Sequence, residues 1–100
     1  MTELPHPRDI ATIPELIKYV GAMLRLRGKE KDEQVASYIV GLETNERLDV
    51  WRVEEPDIEA ILGDASDLEW SNGNPEELAN MWKHIEFHLE RLERRYLHEK

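Results

Sequence analysis

Two histidines four residues apart, His84 and His88 in "MWKHIEFHLERL", have the spacing in this chain best suited to chemistry. One helical turn apart, two imidazoles can grip a single metal ion. A zinc hydrolase helix needs His-Glu-x-x-His, in which the glutamate after the first histidine is the base. Ile85 stands in that place, and Glu86 projects from a different side of the helix. A third ligand would have to come from His6, His98 or a carboxylate, and structural zinc sites want four. The expectation is therefore no metal and no cofactor. His84 and His88 remain the candidate ligands of an alternative reading, a small metal-binding protein or hydrolase.

The carboxylates are denser. Residues 44–74 carry nine acids against Arg47 and Arg52, and they hold most of the formal net charge of -9. Within "VEEPDIEAILGDASDLEW" lie Glu54, Glu55, Asp57, Glu59, Asp64, Asp67 and Glu69. A calcium loop needs acids at alternating positions around a central glycine and a closing glutamate. Gly63 precedes Asp64 instead of sitting inside such a loop, so that pattern fails. A solvated acidic face is the plain reading. Such a surface repels phosphate backbones, which argues against nucleic acid, and attracts basic proteins. Neither a glycine-rich phosphate loop nor a Gly-x-Ser-x-Gly elbow occurs, and Ser37, Ser66 and Ser71 have no catalytic surroundings. With no cysteine, disulfides, thiolate zinc sites and cysteine nucleophiles are excluded together. No enzyme is expected.

The elements that would carry these residues read as an all-α domain of about four helices, one domain over residues 1–100 with an irregular arm at 1–9. "ATIPELIKYVGAMLRLRG" is a helix with Thr12 as cap, Pro14 in the first turn and Gly28 as stop. Ile13, Leu16, Ile17, Val20, Met23 and Leu24 form its apolar face, widened by Tyr19 and Leu26, while Gly21 marks a close helix contact. "KDEQVASYIVGLET", with Asp32 as its cap, follows a short charged turn, which favours an antiparallel helical hairpin. "RLDVWRV" fits neither period: a short strand near 48–53, buried on both faces, competes with a helical or irregular connection. "EPDIEAILG" is a short helix with Pro56 at its first position and Gly63 as its stop, and "DASDLEW" can add a turn. After the break at "SNGN", Asn74 caps and Pro75 opens a long C-terminal helix. Along it Leu78, Trp82, Ile85, Leu89, Leu92 and Tyr96 recur at spacings of 4 and 3, a heptad seam.

That seam isolates Phe87, the only phenylalanine, which points away from it amid Lys83, Arg91, Arg94 and His98, with Leu97 nearby. An aromatic ringed by bases is either covered by its own fold or anchors a partner. Trp51 and Trp70 pose the same question, weighted toward the core. The chain resembles toxin-immunity and antitoxin proteins in general physical character only, as a small acidic helical protein, and no residues carry across. The expected function is a non-catalytic protein-interaction or regulatory module, an inhibitor or immunity-like binder of a basic partner. Its contacts would be Phe87, Arg91 and Arg94 on one side and Glu54, Glu55, Asp57 and Glu59 on the other. A basic-aromatic face opposite an acidic segment also permits a homodimer, and a structural homo-oligomeric subunit is the third reading. The amino terminus lacks the basic-then-apolar pattern of a signal peptide and no apolar run reaches membrane-spanning length, so a cytoplasmic location without membrane contact is expected.

Overall fold

The computed structural model describes residues 6–70 and 74–97. Residues 1–5, Ser71 to Gly73 and His98 lie outside the described residues, so the part assigned to His98 around Phe87, or as a third metal ligand, lies outside them too. Five α-helices follow in order: α1 (Ile13–Leu24), α2 (Asp32–Val40), α3 (Leu48–Glu54), α4 (Pro56–Glu69) and α5 (Pro75–Tyr96). Two single 3-10 turns, Pro7–Asp9 and Gly41–Thr44, complete the set, and no β-strand occurs among the described residues. Pro7–Asp9 falls within the stretch expected to be irregular. No helix among the described residues is long and apolar enough to cross a membrane.

Local chemistry sets several of the boundaries. The Thr12 hydroxyl accepts from the Glu15 amide at 3.2 Å, and the Asn74 side chain accepts from the amides of Glu76 and Glu77, so two helix starts satisfy otherwise orphaned donors. Helix α1 ends at Leu24, short of the Gly28 expected to stop it; turns follow through Lys29, with Gly28 among them at a φ of +88° that suits glycine. Asp32 is the first residue of α2 rather than its cap. Lys31 takes the cap position without a side-chain bond. Gly63 does not stop α4, which runs on to Glu69. Its cost of about 1 kcal/mol against alanine is outweighed because Ile58, Ile61, Leu62, Ala65 and Leu68 are all buried and need the helix to continue.

The stretch near 48–53 needs a larger correction. It is helical, so the short strand is absent and α3 raises the helix count to five. No strand among the described residues could pair with it, and as a helix it seats Leu48 and Trp51 in the core.

The helices pack in antiparallel pairs. In the expected hairpin, Tyr19 of α1 donates its hydroxyl to the carbonyl of Tyr38 in α2 at 3.0 Å. At Gly21, α1 also approaches Leu89 of α5, where an added Cβ would sit in ordinary contact at 4.0 Å. Helix α4 lies between α2 and α5 and packs on both. The α5 seam is buried at Trp82, Ile85, Leu89 and Leu92, and its ends, Leu78 and Tyr96, are more open. Arg27 closes this side, its guanidinium 4.8 Å from the centre of the Trp82 ring and 2.6 Å from the Glu86 carboxylate. Asn45 is one of two buried polar residues among those described. Its amide donates to the carbonyls of Pro7 (2.9 Å) and Ile10 (2.8 Å), and its oxygen accepts from the Arg47 amide at 2.9 Å.

Candidate functional site

Asp57, the other buried polar residue at 6 % exposure, is the centre of a charge cluster. Pro56 starts α4, so Asp57 stands in the first turn, where the helix dipole favours a negative group. It shares the buried stripe of α4 with Ile61, Ala65 and Leu68, and that stripe turns it inward. Opposite, His88, Arg91 and Arg95 of α5 repeat at spacings of 3 and 4 beside the seam. His88 Nδ1 lies 2.7 Å from Asp57 Oδ1, while Arg91 Nε and an Arg95 guanidinium nitrogen donate to Oδ2 at 3.2 and 2.7 Å. Arg95 also bonds Glu55 at 2.6 Å, and the Tyr96 hydroxyl donates to the other Glu55 oxygen.

Burial alone would push the Asp57 carboxyl up; the bonds from Arg95, His88 and Arg91 outweigh it and hold the group at about 2. A carboxylate that acidic is a weak proton acceptor at neutral pH. Both its oxygens are occupied by the chain's own donors. The cluster ties α4 to α5.

The two histidines part company here. His88 is committed to Asp57, and His84 is exposed one turn earlier. Partial burial raises the Asp64 carboxyl above its ordinary range; the charges of His84 and His88 work against that shift, and Asp67 adds to it. Among the described residues, no three His, Asp or Glu side chains are grouped to hold a metal ion.

Phe87 is 54 % exposed. The His88 ring meets it edge-on with centroids 5.2 Å apart, and Arg91 lies over its face at 5.6 Å. Arg91 therefore serves both Phe87 and Asp57. Arg94 reaches Glu90 at 3.6 Å, and Leu97 packs against the core. Beside Phe87 an open groove of about 460 Å³ runs between the end of α1 and α5, floored by Leu24 and Leu89 and edged by Lys83, Glu90 and Glu93.

The four acids expected on one partner face separate. Asp57 is buried in the cluster, Glu55 is bonded to Arg95 and Tyr96, and Glu59 is bonded to Arg52, which lowers its carboxyl. Only Glu54 has no cation in ion-pair range among the described residues. Trp51 is buried as expected, but Trp70, weighted toward the core, is 81 % exposed. It follows α4 directly, beyond the last buried residue of that helix, Leu68.

Three features were missed from sequence. Asp57 and Ile61 are one turn apart, a spacing that signals a carboxylate on the buried stripe. The 88, 91, 95 spacing places its three partners on one stripe of α5. Val50 and Val53 are 56 % and 81 % exposed, although the strand weighed as one reading of this stretch would have buried both. Compared with known proteins, the chain matches no family model, no curated protein and no solved structure.

Proposed function

We propose that this protein is a non-catalytic protein-interaction module, an inhibitor or immunity-like binder whose partner is basic. The observation that carries the reading is Phe87, an aromatic ring half in solvent beside an open groove. Exposed aromatics of this kind are typical anchors of protein interfaces. The net charge of -9 supplies the sign of the partner. The ionic cluster at Asp57 spends its hydrogen bonds within the chain and serves the fold.

Replacing Phe87 with alanine weakens association with the partner at least about tenfold, the scale of an interface anchor. Thermal stability falls by less than about 1 kcal/mol, because the ring is already half exposed. A pull-down from native lysate supplies the partner, and calorimetric titration with differential scanning reads both numbers. A large fall in melting temperature with unchanged affinity would assign Phe87 to the fold and end this reading of it. Affinity that does not weaken with added salt would exclude the charge mechanism.

A further inference from the structure

The bond to Asp57 uses one nitrogen of His88 and thereby fixes the state of the other. Asp57 takes Arg91 and Arg95 on Oδ2, so it meets its partners as a carboxylate and an acceptor. His88 Nδ1, 2.7 Å from Oδ1, therefore carries the hydrogen and donates it. In a neutral imidazole the lone pair then stands on Nε2. A carboxylate behind one ring nitrogen is the support that metal-bound histidines ordinarily have. It sets the tautomer, holds the ring and raises the basicity of the far nitrogen. At 6 % exposure and tied by two arginines, Asp57 is a firm support.

His84 stands one turn before His88 on α5 and is exposed. Side chains at that spacing have Cβ atoms about 5–6 Å apart, which lets two imidazoles meet one ion at about 2 Å each. Asp64 lies two turns beyond Asp57 on the same stripe of α4. It is partly buried, and both histidines are near enough for their charges to act on it. No cation of the described residues is in ion-pair range of it. A partly desolvated carboxylate without a counter-charge is a cost, and a cation on the histidines would relieve it. The three side chains are not grouped as one ligand set, so the grip is that of the two imidazoles and Asp64 acts through its charge. Imidazoles suit zinc, copper and nickel, whereas magnesium and calcium want oxygen.

We propose that His84 and His88 bind a divalent transition-metal ion through their imidazoles, with Asp57 supporting His88 from behind and Asp64 of α4 supplying the compensating charge. Water completes the coordination. The site goes beyond the reading of the protein as an interaction module and does not depend on it.

The test strips metal from the full chain with a chelator and titrates zinc alone at about pH 7.5, where an ordinary imidazole is neutral. Calorimetry reads stoichiometry and affinity, and nitrogen NMR of the histidine rings reads which nitrogen is bound. One zinc ion is expected per chain, with Nε2 of His88 shifted and its Nδ1 still protonated. His84→Ala should weaken binding at least about tenfold. Asp57→Asn should weaken it about tenfold and Asp64→Asn about threefold, whereas a bare histidine pair on a helix is indifferent to both. Asp64→Asn and the ring spectrum carry the test if Asp57→Asn does not fold.

No uptake at millimolar zinc, zinc on His6 in place of the pair, or affinity unchanged by His84→Ala would overturn the inference. Wild-type affinity in both Asp57→Asn and Asp64→Asn would reduce the site to an adventitious histidine pair and overturn it as well. The interaction-module reading stands in each case, since nothing in it draws on a metal.

Discussion

Glu54 and Glu55 are neighbours in the chain and opposites in the fold. Glu55 stands between α3 and α4 facing α5, where Arg95 and Tyr96 bond both of its oxygens. Glu54 closes the outward face of α3, with solvent in front of it and two bare valines beside it. Around Glu55 and Asp57 charges meet charges and the surface is closed. Around Glu54 apolar and acidic groups stand side by side, and nothing in the described chain answers them. An acidic run in a sequence is thus no unit of function. Each carboxylate takes its role from what the opposing helix presents, and α5 presents bases to α4 while α3 has no helix across its outward face.

The contrast is broken most forcibly at Asp57. Asp57→Ala leaves His88, Arg91 and Arg95 facing an uncharged gap and should cost about 2–4 kcal/mol, moderated because the arginines are half exposed. At this chain length that is a fall in melting temperature on the order of 10–20 °C, readable by thermal circular dichroism. A change under about 2 °C would show that the cluster decorates the α4–α5 contact without holding it.

A smaller effect separates charge from packing. Folding depresses the Asp57 carboxyl from an ordinary 3.8 to about 2. Its contribution, on the order of 2 kcal/mol, is therefore complete above about pH 4 and lost as pH falls through about 2. Urea unfolding between pH 5 and pH 2 should show that loss in the wild type. Asp57→Asn should lack this part of the slope, and parallel curves for the two proteins would contradict the assignment.

The smallest effect belongs to the open side. Val50→Ser with Val53→Ser should shift stability by no more than about 0.5 kcal/mol, because both side chains are more than half exposed. A loss above about 1.5 kcal/mol would mean that the valines are supported by something within the chain.

What could be read beforehand follows the same division. The starts of α1 and α5 were legible because Thr12, Pro14, Asn74 and Pro75 act on their own local backbone. The α5 seam was legible because one helix contains its whole period. Gly63 was read as a stop because its penalty is local, whereas the burial of Ile61, Leu62, Ala65 and Leu68 that overrides it is tertiary. In "RLDVWRV", periodicity assumed that every apolar residue seeks the core, and Val50 and Val53 do not. The site was half visible. Phe87 stood out by pointing away from a seam, but the pairing of Asp57 with Arg91 depends on the antiparallel alignment of α4 with α5. No property of either segment alone reveals that alignment.

Asn45 gives this arrangement a reach beyond its neighbourhood. One side-chain amide binds the chain at Pro7 and Ile10 while its oxygen holds the amide of Arg47, the residue just before α3. The orientation of α3 is therefore set partly by residues some forty positions upstream. Proteolysis near Pro7, or a bulky fusion ahead of it, would release this clasp and loosen the start of α3 beside it. The turn at Pro7–Asp9 would then act on the stability of α3 without touching that helix through its own side chains.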